Sequence, residues 1–217
     1  MLELGLKFTI AYLIGAVLGS LVVGFFRGGV DIRTLGSGNP GGTNALRTQG
    51  KWFALGVMIL DVGKGLLAVA LVPALAIPGV GTDPEIDRSL LLYSVAFAAI
   101  CGHVFPIWFD FRGGKGGATA AGLIIYLVPD VAVPMIGVWV ALVLTTGFVG
   151  LATICAAVAA VVYIGFTRLP ADHGLFVFAC AVAALLIYAH RSNIQRMLNG
   201  TESRFARPRL GRWLGGK

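Results

Sequence analysis

Long apolar runs alternate with short polar stretches rich in glycine along the whole chain. The runs lie near 4–26, 53–77, 89–109, 117–129, 131–147, 149–166 and 174–190. A helix needs about 20 apolar residues to cross the hydrocarbon of a bilayer, somewhat fewer where the bilayer thins. The pattern therefore predicts an all-α integral membrane protein with seven transmembrane helices. The fourth run is short, and Val128-Pro129-Asp130 reads as a tight turn into the fifth. If these two runs do not cross, the count is five and both ends stay where they were. No internal repeat is visible beyond the glycine-rich character of two loops. Glu3 and Lys7 do not make a basic leader and the first run continues to Phe26, so that run reads as a retained span rather than a cleaved signal. Residues 1–203 form one membrane-embedded domain in this reading, and 204–217 a basic tail.

Composition agrees with that division. Hydrophobic residues make up 57% of the chain and charged ones 12%, about half the charge of a soluble domain. Cys101, Cys155 and Cys180 are scattered through apolar runs, which gives neither a disulfide framework nor a paired metal spacing. Cys101-Gly-His103 reads as a core thiol beside a histidine. No metal, cofactor or nucleic-acid partner is expected.

Charge placement sets an orientation. Residues 27–52, 110–116, 148 and 191–217, with the adjoining helix ends, carry fourteen of the seventeen lysines and arginines, counting Lys64. Lys7, Arg88 and Arg168 remain for the opposite side. The basic side is cytoplasmic by the positive-inside rule, so the N-terminus lies outside and the C-terminus inside. All glycine-rich polar segments then face the cytoplasm.

Three constellations lie on that side. The first is GSGNPGGTNALR, residues 36–47. Ser37, Asn39, Thr43 and Asn44 supply hydroxyls and amides, and Gly38 lets the backbone turn among them. Thr43 or Asn44 can cap a short helix running through Arg47, an arrangement suited to an anion. A flexible turn carrying a headgroup-binding arginine has the same composition. The second is GHVFPIWFDFRGGKGGAT, residues 102–119. Gly113, Gly114, Lys115 and Gly116 lead straight into the fourth run, the physical recipe for holding phosphate at a helix start. It is not a Walker loop, because glycine rather than serine or threonine follows the lysine. His103 stands at a helix end, where it is either a structural histidine or a ligand-binding one. The third is YAHRSNIQRMLNGTE, residues 188–202. His190 and Asn193 are three apart and share a helix face, with Arg191 and Arg196 assigned to other parts of the surface. A weaker signal is DVGKG, residues 61–65. Asp61 and Lys64 lie inside a span, either as functional charges or as an ion pair with Lys64 snorkelling.

Together these residues resemble the bacterial acyl-phosphate:glycerol-3-phosphate acyltransferase family. GSGNPGGTN, GHVFPIWFDFRGGKGGAT and HRSNIQRMLNGTE look like its three cytoplasmic motifs, in order, and DVGKG and GLATI (residues 150–154) look like further family features. Thr153 replaces a more usual serine in the last of these. The resemblance covers about residues 4–202. It implies a bacterial inner-membrane enzyme that moves an acyl group from acyl-phosphate to the sn-1 hydroxyl of glycerol 3-phosphate, releasing lysophosphatidic acid and phosphate. It also implies working roles for Ser37, Arg47, Lys115, His190 and Asn193, no protein nucleophile, and supply by an acyl-phosphate-producing enzyme. The residues agree in one respect: no His-x4-Asp pair is present. The acceptor's own phosphate, with a second pKa near ~6, and His190 are the two candidate bases. A transporter of a phosphorylated solute and a lipid-binding scaffold are the competing classes. A transporter should place its binding groups at the membrane midplane and show inverted repeats.

Overall fold

The computed structural model describes residues 1–205. Among them the chain forms ten α-helices: α1 (Leu2–Gly15), α2 (Gly19–Phe26), α3 (Gly42–Gln49), α4 (Lys51–Leu71), α5 (Arg88–Val104), α6 (Gly117–Leu127), α7 (Ala132–Thr146), α8 (Val149–Arg168), α9 (His173–Ala189) and α10 (Arg191–Leu198). Four apolar helical stretches are long enough to cross a membrane: α4, α5 with the turn after it, α7 with the turn before it, and α8. Two bent pairs, α1–α2 at 44° and α9–α10 at 53°, raise the count to six. By length and apolar composition alone the count is thus four to six, against the seven expected, and the difference turns on one short helix. The run at 117–129 becomes α6, 11 residues long, about 16 Å of helix against a hydrocarbon core of about 30 Å. Pro129 stops it, because the residue before a proline is pushed out of helical geometry; Val128 is indeed non-helical, at φ −139° and ψ 79°. The chain still reverses direction around α6. Its start packs at Thr153 near the beginning of α8. Asp130, just past its end, bonds to Tyr163 and Arg168 near the end of α8.

Burial of small residues lets the helices approach closely. A Cβ on Gly15 would lie 2.0 Å from Ala99 O, and one on Gly102 2.0 Å from Tyr12 O, so α1 and α5 cross backbone to backbone. Around that seam Val95, Ile100, Leu123, Ile164 and Val182 are fully buried and form one continuous core.

The break between α1 and α2 explains the charges inside α4. Leu18 is extended, which frees backbone groups that lipid cannot satisfy. Lys64 Nζ donates to Val17 O at 2.7 Å, and Asp61 Oδ1 accepts from Gly19 N at 3.2 Å. The pair is closed by a 3.0 Å bridge between Lys64 and Asp61. Lys64 therefore does not snorkel to a helix end: its side chain is 7% exposed and bonded inside the bundle.

The two ends of the bundle differ. At one, the N-terminal amine pairs with Asp83, Lys7 with Glu3 and Pro73 O, Arg88 with Glu3, and Arg168 with Asp130. At the other gather α3, both glycine-rich loops, α10 and residues 201–205.

Candidate functional site

The first loop is held from within. Asn44 Nδ2 donates to Ile32 O and Leu35 O, each at 3.0 Å, while Oδ1 accepts from Ser37 N at 3.0 Å. Its amide is fully used in shaping the loop, so Asn44 reaches the site by positioning Ser37. The expected side-chain cap of α3 is corrected: Gly41 occupies the cap position without a side-chain bond, and Thr43 lies inside the first turn. Arg47, in the last turn, makes no ion pair or hydrogen bond among the described residues and faces the cavity.

The second loop is stitched to the end of α5. Gly113 N donates to Val104 O at 3.1 Å and Gly114 N to His103 O at 3.0 Å. Those glycine N–H groups are therefore not free for phosphate, contrary to the sequence reading. Gly116, at φ +78°, turns the chain into α6 in a left-handed conformation that favours glycine. The first N–H groups of α6 have no partner within the helix, and its first residues, Gly117 and Ala118, line the cavity.

The third segment bends at His190, where α9 ends and α10 begins. His190 Nδ1 lies 2.8 Å from Leu186 O. A carbonyl only accepts, so Nδ1 carries the proton and Nε2 of the neutral ring presents a lone pair. His190 and Asn193 share a face as expected, but their side chains do not bond to each other. Asn193 Oδ1 accepts from Lys115 Nζ, and Asn193 Nδ2 donates to Glu202 Oε1 at 2.7 Å. Arg196 Nε donates to the other Glu202 oxygen at 2.6 Å. Arg196, assigned to the outer surface by sequence, faces the site instead, three residues beyond Asn193. Arg191 stacks on Tyr188, 4.3 Å from the ring centre.

Burial and the neighbouring Arg196 guanidinium push Lys115 down to about 8, against a smaller opposing effect of Glu202. A lysine so placed favours an anion that restores its proton.

Two cavities meet at these groups. One, about 420 Å³, has Arg47, His190 and Glu202 at its polar end and runs between Ile124, Ile125, Met135, Ile136, Trp139 and Ala157. The other, about 600 Å³, is the more polar of the two and is lined by Gly38, Gly113, Gly114, Arg112, Arg191 and Gln195. Ser37, Asn39, Lys115 and Arg196 line both. Thr43, Asn44, His103, Gly116 and Asn193 border the first. The structure thus brings every sequence-selected residue to one of two joined cavities. Sequence reasoning missed Arg196 and Glu202 and the whole apolar corridor. The spacing 190, 193, 196 carried the signal for Arg196. Glu202 closes the third motif, HRSNIQRMLNGTE, but it lies beyond the helix, so helical spacing assigns it no partner. Among the described residues no group of three or more His, Cys, Asp or Glu side chains is placed to hold a metal.

A family model described as glycerol-3-phosphate acyltransferase matches residues 6–200. The chain belongs to the glycerol-3-phosphate acyltransferase family. A relative of that name from Chlorobaculum parvum is 36% identical, over 90% of this chain and 94% of its own. One from Prochlorococcus marinus is 36% identical over 89% and 93%. The crystal structure of PlsY (YgiH), an integral membrane glycerol 3-phosphate acyltransferase, in its glycerol 3-phosphate form, superposes with a TM-score of 0.79 at 34% identity, covering 94% of this chain and 96% of that one. Its lysophosphatidic acid form superposes at 0.77.

Proposed function

We propose that this protein acylates the sn-1 hydroxyl of glycerol 3-phosphate with acyl-phosphate as donor, at the cytoplasmic face of a bacterial inner membrane. One observation carries the reading: an apolar corridor and a polar basin share Ser37, Lys115 and Arg196. The corridor suits the acyl chain of a lipid-borne donor, with its phosphate at Lys115. The basin suits a small dianion arriving from water. Basic residues concentrated at the same end support the orientation.

The chemistry needs no protein nucleophile. The sn-1 oxygen attacks the acyl carbon, the carbon–oxygen bond to phosphate breaks, and inorganic phosphate leaves. Lys115 and the opening N–H groups of α6 take up the charge that grows on the leaving phosphate. The Ser37 hydroxyl donates to the carbonyl oxygen. Arg47 and Arg196 hold the acceptor's phosphate, which takes the hydroxyl proton. His190 Nε2 accepts a hydrogen bond from the neighbouring glycerol hydroxyl, so the acceptor arrives oriented. The supply of acyl-phosphate falls to a separate enzyme.

The test is turnover by purified protein. With acyl-phosphate and glycerol 3-phosphate, phosphate is released in step with lysophosphatidic acid, and chelator changes nothing. Turnover with acyl-CoA but not acyl-phosphate overturns the donor. Glycerol is expected to be a very poor acceptor even at saturation, since it brings neither the anchor nor the base. A phosphonate acceptor with a shifted second pKa should move the pH profile; an unmoved profile together with a dead His190→Gln makes His190 the base.

A further inference from the structure

Asp61, Lys64 and His103 form a buried polar cluster, and the acylation steps above use none of the three. Lys64 Nζ has three protons and three acceptors around it: Val17 O at 2.7 Å, Asp61 Oδ1 at 3.0 Å and His103 Nδ1 at 2.7 Å. An ammonium only donates, and it lies nearer to Nδ1 than the Asp61 carboxylate does, 2.7 Å against 3.5 Å, so beside the charged lysine Nδ1 of His103 is the unprotonated nitrogen. The neutral ring then carries its proton on Nε2. Asp61 holds the ammonium in place and is itself tied to the start of α2 and, through its carbonyl, to Thr119 Oγ1 of α6 at 2.9 Å.

Nε2 makes no hydrogen bond among the described residues, yet it is not sealed. Ser20 Oγ is the single enclosed side-chain nitrogen or oxygen without a partner among those residues, and His103 borders the 420 Å³ cavity. The ring nitrogen also abuts the second glycine-rich loop: a Cβ on Gly114 would lie 2.1 Å from Nε2. Glycine at that position keeps the nitrogen uncovered. The two buried histidines thus face the site with opposite polarity. His190 presents a lone pair, fixed by Leu186 O; His103 presents an N–H, fixed by Lys64.

Resting on the acyl-transfer reading, we propose that Lys64 is a positioning residue that locks His103 as the Nε2–H tautomer, so that His103 donates a hydrogen bond to a phosphate oxygen of the substrate held beside Gly114 and Lys115. A neutral donor suits this place. It adds a contact to the phosphate without adding a second buried charge beside the Asp61–Lys64 pair.

The test reads the tautomer directly. In 15N-histidine-labelled protein at neutral pH, long-range imidazole spectra should show His103 neutral with its proton on Nε2 and His190 neutral with its proton on Nδ1, assigned by single-histidine variants. An imidazolium or an Nδ1–H ring at His103 overturns the proposal, whichever acyl donor the protein uses. A long-chain acyl phosphonate and glycerol 3-phosphate are then added separately. A shift of the His103 Nε2–H signal by the phosphonate alone assigns the contact to the donor's phosphate. A shift by glycerol 3-phosphate alone assigns it to the acceptor's. No shift by either overturns it.

Two double variants separate positioning from mere stability. Asp61→Leu with Lys64→Gln keeps an N–H donor for Nδ1; Asp61→Leu with Lys64→Met does not, and neither leaves an unpaired charge. At matched melting midpoints, the Met variant should lose the single tautomer and raise KM for the contacted substrate roughly ten- to a hundredfold, as for loss of a hydrogen bond to a charged group. The Gln variant should stay much closer to wild type. Equal KM for the two overturns the role of Lys64. If neither folds, the wild-type spectra and their response to the two ligands still decide.

Discussion

Lys115 is the residue on which charge and geometry converge. It lies between glycines that fold back onto α5, touches Asn193, and borders both cavities. Its pKa of about 8 means that it is charged below that value and neutral above it. An anion binds the charged form, so kcat/KM should fall roughly tenfold per pH unit above about 8. Bound phosphate stabilises the proton, so the break in kcat should sit at higher pH. Lys115→Arg, which stays charged, should remove the alkaline limb; a limb unchanged in that variant would take Lys115 out of anion binding. Lys115→Ala and Arg47→Ala should each lower the specificity constant by one to two decades, since a charge-assisted phosphate contact contributes roughly 1.5–3 kcal/mol. Arg27→Ala, at the C-terminal cap of α2 and bordering neither cavity, should change it little. These assignments were legible in the sequence because glycines around one lysine before a helix have few other uses. Arg196 was hidden by its neighbours: in a basic helix end every arginine looks like a membrane anchor, and only its distance from Asn193 distinguishes it.

At the scale of the helices, close approach decides what can change. Gly5 and Gly15 both lie in α1, but a Cβ on Gly5 meets nothing within 4 Å, whereas one on Gly15 strikes Ala99 O. Gly5→Ala should stabilise by about 0.5–1 kcal/mol through helix propensity. Gly15→Ala should destabilise by roughly 1–3 kcal/mol, because α1 and α5 must part. Thermal unfolding in one detergent compares the two, and similar midpoints would show that the α1–α5 seam is soft. Sequence showed where apolar helices lie but not where they break. The interruption at residues 16–18 contains no proline, and the groups that satisfy its freed backbone are a lysine and an aspartate more than forty residues away. Pro129 did announce the end of α6, yet the shortness of that helix mattered only once its neighbours were placed.

For the molecule as a whole, the open question is how far the acting unit extends toward the C-terminus. The sequence divides it at residue 203, where the basic tail begins. The structure carries the packed chain at least two residues further. Phe205 N donates to Gly147 O at 2.7 Å, and Arg204 lies over the Phe148 ring at 5.0 Å. These contacts anchor the segment that brings Glu202 to Asn193 and Arg196. The remaining tail, residues 206–217, lies outside the described residues; its four cations are expected to rest on the anionic inner leaflet at about 1 kcal/mol each. Truncation after Phe205 should therefore leave kcat and KM near wild type in detergent, with weaker adherence of the C-terminal end to anionic vesicles. Truncation after Gly200 removes Glu202 as well. Asn193 then loses the partner that orients its amide, and Arg196 the carboxylate that offsets its charge beside Lys115. The deeper cut should lower activity by at least a decade, comparable to loss of one charged hydrogen bond. A folded but inactive product of the cut after Phe205 would show that the tail itself completes the site, and would move the boundary of the acting unit to the end of the chain.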